Sequence, residues 1–228
     1  MELTPEDITA IVLSLKVAFA ATALSLPLGF AAAWLIVFRT FRGKVLLEVL
    51  VNLPLTLPPV VIGYLLLLLL GKNGWLGQLL ASAGIHLIFT WKAAVIASAV
   101  VGFPLLVRSI RLGMESIDPL LVKASRTLGA SWLDSLLSVI LPLSMKGIIA
   151  GSSLMFARSL GEFGATIILA GNIPGVTQTI PLAIYDYASS PSSTAMALSL
   201  CFVSIVISVA VLFLHELLSR KIDRSNGL

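Results

Sequence analysis

Two residues of opposite charge, Arg158 and Glu162, stand four positions apart inside a long apolar segment. Residues at this spacing share one face of an α-helix, where an arginine and a glutamate can form an ion pair. Charges at membrane depth are costly, and they usually face a bundle interior or a water-filled cavity. The spacing therefore predicts either a structural ion pair that fixes the rotation of one helix or a contact with a translocated ion.

Residues that could support catalysis or hold a metal are few and far apart in the sequence. The histidines are His86 and His215, and the single cysteine is Cys201. None stands in a cluster of nucleophiles, bases or metal ligands, so the sequence predicts no active site, metal site or cofactor. The stretch Gly71-Lys72-Asn73 lacks the residues of a nucleotide-binding phosphate loop.

The composition is that of a membrane protein. Hydrophobic residues make up 58% of the 228 residues and charged residues only 11%, far from the average of a soluble domain. The net charge of +4 is first explained by orientation in the bilayer, and nucleic-acid binding is not expected. We expect most of the chain to lie in lipid.

Five apolar runs can each supply the ~20 residues that a helix needs to cross a bilayer. These runs are residues 11–38, 45–70, 93–110, 148–171 and 195–218. They leave no room for a soluble domain of useful size. The sequence therefore predicts one all-α transmembrane domain over residues 1–228, a polytopic helix bundle with about five spans and with six as the alternative.

Three prolines, Pro54, Pro58 and Pro59, interrupt the second run. Each proline removes a backbone donor and clashes with the preceding turn, so a straight helix is not expected there. Backbone groups freed at membrane depth must meet protein or a water-lined cavity. The break thus indicates either a structural kink or part of a translocation pathway.

Basic residues are concentrated in alternate loops. The first loop contains Arg39, Arg42 and Lys44, the third contains Arg108, Arg111, Lys123, Arg126 and Lys146, and the tail contains Arg220, Lys221 and Arg224. The other loops contain only Lys72 and Lys92. Because basic loops favour the cytoplasmic side, we expect the N-terminus outside, the C-terminus inside and residues 116–146 in the cytoplasm.

Residues 116–137 are polar enough to stay outside the lipid, yet they are typical of two short helices. Pro119 can open the first helix, and Gly129 can turn the chain between the two. Each helix has an apolar stripe, formed by Leu120, Leu121, Ala124 and Leu128 in the first and by Trp132, Leu133, Leu136 and Leu137 in the second. Such an amphipathic hairpin beneath a membrane bundle suits docking onto another protein.

The hairpin resembles the EAA loop of ABC-importer permeases, whose pattern is Glu-Ala-Ala, three residues, Gly, nine residues, Ile, one residue, Leu-Pro. The matching residues are Lys123-Ala124-Ser125, Gly129 and Val139-Ile140-Leu141-Pro142. Three residues, Lys123, Ser125 and Val139, depart from the pattern. Because Lys123 stands where the pattern has glutamate, no role of that glutamate is assigned to it. The resemblance implies that residues 116–146 are a cytoplasmic coupling loop that contacts an ATPase. The implied contact residues are Lys123, Ala124, Ser125, Thr127, Leu128, Gly129, Leu141 and Pro142.

Three further stretches are similar to molybdate permease subunits of ABC importers: residues 57–64, residues 156–166, and residues 172–175 with 179–181. The run Arg-Ser-Leu-Gly-Glu-Phe-Gly-Ala within the second stretch also occurs in looser form in sulfate and tungstate permeases. Asn-Ile-Pro-Gly and Thr-Ile-Pro in the third stretch favour molybdate. The resemblance implies a type I ABC importer permease fold and translocation of molybdate or tungstate, with a sulfate- or tungstate-type oxyanion permease as the alternative.

The resemblance also implies partners in the bacterial inner membrane: a second copy of the chain, two cytoplasmic ABC ATPase subunits, and a periplasmic or lipid-anchored molybdate-binding protein. An ion-coupled secondary transporter is a further alternative, because it too would have broken helices and intramembrane charges. That alternative leaves the amphipathic hairpin unexplained, and no paired half-repeat is visible in the sequence.

Overall fold

The computed structural model describes residues 3–190 and 193–225, and the side chains of residues 221–225 lie outside the description. Two residues of the basic tail, Lys221 and Arg224, therefore fall outside the described side chains. Over the described residues the regular elements are helices, which confirms the all-α prediction. The long helices are α1 (Pro5–Phe38), α5 (Trp91–Glu115) and α12 (Thr194–Ser225); the shorter ones are α2 (Lys44–Thr56), α3 (Pro59–Leu70), α4 (Trp75–Ser82), α6 (Pro119–Thr127), α7 (Trp132–Ser135), α8 (Leu141–Leu143), α9 (Met145–Leu160), α10 (Gly164–Leu169) and α11 (Ile180–Ala188).

Helices α1, α5 and α12 are each long and apolar enough to cross a membrane alone. Two bent pairs can supply two more spans: α2 with α3, which meet at 117°, and the α7–α8 segment with α9, which meet at 64°. Counting each bent pair as one span gives five crossings, the number that the apolar runs predict. The fold is thus a transmembrane bundle in which two of the five spans are broken.

The break in the second span follows from its prolines. Helix α2 contains Pro54 near its C-terminal end, and Leu57 and Pro58 separate it from α3. Pro59 is the first residue of α3, where its missing N–H removes no intrahelical bond. The span is therefore broken at Leu57 and Pro58, whereas Pro54, which the sequence also predicts to break it, lies within α2.

Helix α5 is the centre of the bundle, and it packs against α1 and α9. Leu106, Ile110 and Met114 of α5 are fully buried, as is Met155 of α9. Close approach of α5 and α9 depends on small residues, since a Cβ on Gly147 would lie 2.6 Å from the carbonyl oxygen of Ser109. Small residues of this kind commonly form membrane helix interfaces.

Helix α11 packs against α12 and the first turns of α1. The backbone N–H of Ile180 donates to Ser14 Oγ at 2.8 Å, and the Tyr187 hydroxyl donates to Asp7 Oδ1 at 3.0 Å. Asp7 also closes a capping box with Thr4 at the start of α1. The segment before α12 is therefore fixed to the N-terminal end of the bundle.

An amphipathic hairpin and a broken span with a buried ion pair

The amphipathic hairpin, residues 116–137, contains the two short helices that the sequence predicts. Helix α6 begins at Pro119, and Asp118 caps it by accepting a hydrogen bond from Leu120 N at 2.8 Å. Gly129 follows α6 with φ of +90°, a region that disfavours residues with a β-carbon. An added Cβ there would meet no atom within 4 Å, so backbone conformation alone requires this glycine.

One face of the hairpin is fixed to the bundle. Ser125 Oγ of α6 lies 2.9 Å from Ser135 Oγ of α7, which ties the two helices together. Trp132 packs edge-on against Trp34 of α1, with ring centroids 4.8 Å apart. Val122 also packs against the main core. These contacts hold the hairpin as a rigid unit at one end of α1.

The opposite face of the hairpin is apolar and exposed. It presents Leu120, Leu121, Leu128, Leu133 and Leu137, and Leu128 is 88% exposed. Isolated apolar residues on a surface are ordinary, but a cluster of large ones commonly marks an interaction surface. The hairpin therefore presents a cluster of large apolar side chains that the bundle itself leaves uncovered.

The predicted contact residues divide between the two faces. Lys123, Ala124, Thr127, Leu128, Gly129 and Pro142 are exposed. Ser125 is half-buried through its bond to Ser135, and Leu141 is half-buried against the core. Leu136 likewise packs against the core, so only part of the predicted second stripe faces outward. Ser125, Leu136 and Leu141 therefore contact the rest of the chain with part of their surface and leave the remainder exposed.

A π-helical turn, Leu136–Ile140, joins the hairpin to the membrane span. Pro142 lacks an N–H and its ring crowds the carbonyl four residues earlier, which favours a locally widened helix. The chain bends at Ser144, whose buried hydroxyl donates to Leu141 O at 3.1 Å. The hairpin is therefore continuous with α9 through a bent but hydrogen-bonded connection.

The ion pair between Arg158 and Glu162 is present, with Nη2 and Oε2 2.8 Å apart. The two residues do not share a helix face, however, and that part of the prediction is wrong. Helix α9 ends at Leu160, and Glu162 lies in the break before α10 begins at Gly164. Glycines on both sides of Glu162 disfavour helix, so the chain leaves the helical path there.

The Glu162 carboxylate stabilises this break. Its side chain is only 1% exposed, and Oε1 accepts a hydrogen bond from Ala165 N at 2.8 Å, in the first turn of α10. Oε2 contacts Arg158 as an ion pair, although the guanidinium N–H is not aligned for a hydrogen bond to it. The Arg158 side chain is 33% exposed, so it links the buried carboxylate to the surface.

Helices α3 and α10 lie side by side. A Cβ on Gly63 of α3 would approach Ala165 Cα of α10 to 2.8 Å, and one on Gly164 would lie 3.0 Å from Pro59 Cβ. Helix α10 thus starts against the start of α3. Sequence reasoning did not find this contact, although the small residues Gly63 and Gly164 are the available signal for it.

The remaining candidate groups form no common site. His215 Nδ1 lies 3.1 Å from Ser153 Oγ, where it links α12 to α9. His86 lines an apolar cavity with Lys72 near α4. Cys201 is half-buried. In the part of the chain that the structure describes, no group of three or more His, Cys, Asp or Glu could hold a metal ion.

Known proteins with the same organisation are permeases of ABC importers. The chain is 49% identical over 222 residues to the molybdenum transport system permease protein ModB of Haemophilus influenzae, covering 97% of each chain. It is 48% identical over 221 residues to ModB of Escherichia coli K12, covering 96% of each. These relatives confirm the resemblance to molybdate permease subunits.

The fold is similar to a chain of a bacterial alginate ABC transporter, solved in complex with an alginate pentasaccharide-bound periplasmic protein. The TM-score is 0.78 at 17% identity, and the match covers 96% of this chain and 80% of that chain. The predicted type I ABC importer permease fold is thereby confirmed. Residues 25–224 match the family described as the binding-protein-dependent transport system inner membrane component, and the chain belongs to that family.

Proposed function

We propose that this chain is the membrane-spanning permease subunit of an ATP-driven importer of molybdate, with tungstate as a second substrate. The substrate assignment rests on the near-full-length similarity to permeases named for molybdenum transport. Tungstate and molybdate are tetrahedral dianions of nearly the same size. A sulfate-type oxyanion permease is the alternative substrate assignment, and it makes a different prediction in the experiment below.

The chain itself performs no hydrolysis in this proposal. Separate cytoplasmic ATPase subunits bind the exposed apolar face of the amphipathic hairpin, through Lys123, Ala124, Thr127, Leu128 and Gly129. Residues 116–146 are the coupling loop of a single transmembrane domain that spans residues 1–228. The exposed leucines support this assignment, since an ion-coupled transporter has no need of such a surface.

Two copies of the chain form the translocation unit. Each chain offers one hairpin, and five spans are few to enclose a pathway shielded from lipid. A twofold axis normal to the membrane places the pathway between the chains and presents two equivalent hairpins to two ATPases. A periplasmic or lipid-anchored binding protein delivers the anion on the outer side, where the N-terminus lies, and the C-terminus is cytoplasmic.

The ion pair of Arg158 and Glu162 has a structural role in this unit. Glu162 is almost fully buried and caps α10 through Ala165 N, as a residue that stabilises a helix break does. Burying the carboxylate without a cation would be costly, and Arg158 supplies that cation. The chain breaks at Pro58 and Gly161 lie close together, and they determine how α3 packs against α10.

The deciding experiment reconstitutes the permease with its ATPase and its binding protein in proteoliposomes and measures ATP hydrolysis and anion uptake. Molybdate and tungstate should stimulate both, and sulfate should stimulate neither at the same concentration. Stimulation by sulfate alone would refute the substrate assignment. Cross-linking of the purified complex should trap a permease dimer, and a stable complex with one permease copy would refute the twofold assembly.

A further inference from the structure

A cleft of about 410 Å³ separates the C-terminal end of α1 from the amphipathic hairpin. Its walls include Trp34, Phe38 and Arg39 from α1 and its C-cap, and Val122, Arg126 and Trp132 from the hairpin. The cleft thus combines two guanidinium groups with two indole rings. The lining residues include no aspartate or glutamate within the part of the chain that the structure describes.

The two arginines are available to an external anion. Over the described residues, neither Arg39 nor Arg126 forms an ion pair or a side-chain hydrogen bond. Arg39 lies over the ring of Trp34, with its guanidinium carbon 5.1 Å from the ring centroid. A guanidinium presents several N–H donors in a planar fork that matches the oxygens of a phosphate group. The charge of the cleft therefore suits a phosphate-bearing ligand.

Trp34 forms part of the apolar wall of the cleft. Its indole Nε1 is buried and has no hydrogen-bond acceptor in the structure. Because this atom is closed to the cleft, the arginines are the groups that a ligand in the cleft would meet.

An exposed apolar stripe on α1 ends beside the cleft. Leu24, Leu28, Ala31 and Leu35 are exposed and recur at helical spacing, and Arg39 continues the same spacing just beyond the helix end. An acyl chain can lie along this apolar stripe while its headgroup reaches Arg39. Tryptophans and arginines at the end of a membrane span are typical of the headgroup layer.

We propose that this cleft binds the phosphate headgroup of an anionic phospholipid, whose acyl chains lie along the exposed stripe of α1. The bound lipid bridges α1 and the amphipathic hairpin, since Arg39 comes from one and Arg126 from the other. It stabilises the hairpin in the position that the ATPase meets. The lipid site does not depend on which anion the importer transports.

The test measures lipid retention by native mass spectrometry of the full-length chain in detergent, with dioleoylphosphatidylglycerol or dioleoylphosphatidylcholine as the probe. The wild type should bind phosphatidylglycerol in preference to phosphatidylcholine. The double variant Arg39→Gln/Arg126→Gln should lose about 25-fold in apparent affinity for phosphatidylglycerol, about fivefold for each arginine at the membrane surface. Arg39→Lys/Arg126→Lys should bind with an affinity between those of the wild type and the Gln variant, because the charge remains but the planar fork of donors is lost.

The matched control is Arg42→Gln/Lys123→Gln, which removes one positive charge from the first loop and one from α6, outside the cleft lining. It should bind phosphatidylglycerol as the wild type does. Equal losses in the two Gln variants would show a general charge effect and overturn the site. Displacement of the lipid by inorganic phosphate or molybdate at equal concentration would make the cleft a free-oxyanion site and overturn the lipid assignment.

A measurement on the wild type covers the case in which the double variant does not fold. A photoactivatable phosphatidylglycerol with the reactive group near the headgroup should label peptides that contain residues 34–39 and 122–135. Labelling of the membrane-facing α12 alone would overturn the proposal.

Discussion

Replacing Gly129 by valine tests the role of the amphipathic hairpin most directly. Gly129 has φ of +90°, and an added Cβ would meet no atom within 4 Å. The cost is therefore conformational and not steric. Holding a residue with a β-carbon at positive φ costs about 1–2 kcal/mol of conformational free energy, and a β-branched residue such as valine costs an amount near the upper end of that range. At this cost the native turn is depopulated about 5- to 30-fold relative to alternative turns.

The expected defect is confined to coupling. The turn lies outside the lipid, so the Gly129→Val chain should insert and form its bundle. Because the turn sets the angle between α6 and α7, ATPase binding should weaken by up to about the same 5- to 30-fold factor. The assays are binding of purified ATPase to the detergent-solubilised permease and molybdate uptake per ATP hydrolysed in proteoliposomes. Gly129→Asn should be milder, because asparagine tolerates this conformation.

Gly84 offers a matched control within the same chain. It also has positive φ, +74°, and an added Cβ there meets no atom within 4 Å, but it follows α4 far from the hairpin in sequence. Gly84→Val should introduce similar strain without affecting ATPase binding. Wild-type binding and uptake per ATP in Gly129→Val would refute the coupling role. Equal loss of ATPase binding in Gly84→Val would show that strain anywhere in the chain has this effect.

Three further predictions concern the exposed face and the broken spans. Leu128→Ala should change the unfolding free energy by less than about 0.5 kcal/mol, because the side chain is exposed. The same substitution should weaken ATPase binding by about 1.5–3 kcal/mol, measured by titration calorimetry, because the leucine is buried in the complex. Parallel losses of stability and binding would contradict it. Arg158→Ala should lower thermal stability more than Arg158→Ala/Glu162→Ala, since the single change leaves a buried carboxylate unpaired; a larger loss in the double variant would count against the pair. Gly63→Val should destabilise the bundle by about 1–3 kcal/mol in thermal unfolding, because its side chain meets the α10 backbone at Ala165. Unchanged stability would show that α3 and α10 separate easily.

Features set by local backbone chemistry could be predicted from the sequence. Pro119 starts α6 because proline suits the first turn of a helix, and Gly129 turns the chain because it tolerates positive φ. Pro58 and Pro59 mark the break of the second span, although Pro54, Pro27 and Pro104 lie within helices, so a proline alone does not fix where a helix ends. These residues act on their own neighbours, so no knowledge of the tertiary structure is needed.

Features that depend on tertiary packing were missed. The spacing of Arg158 and Glu162 fits a continuous helix equally well, and the end of α9 at Leu160 becomes visible only in the fold. Ser125 and Leu141 lie within the matched family pattern, but their side chains turn to Ser135 and to the core. A linear motif identifies a segment; it does not specify which face of that segment is covered.

The cap that the buried Glu162 forms on α10 bears on how movement of the hairpin passes along the span that follows it. We expect a displacement of the hairpin to reach α9, because the π-helical turn and the buried Ser144 hydroxyl keep the connection hydrogen-bonded. Helix α9 packs closely against α5 at Gly147, so we expect it to move as a unit. The next weak point is the break after Leu160, where an uncapped junction would absorb the movement locally. Glu162 accepts a hydrogen bond from Ala165 N and forms an ion pair with Arg158, and these two contacts join the end of α9 to the start of α10, which packs against α3. Loss of the cap should therefore reduce transport per ATP even in molecules that remain folded and bound to the ATPase.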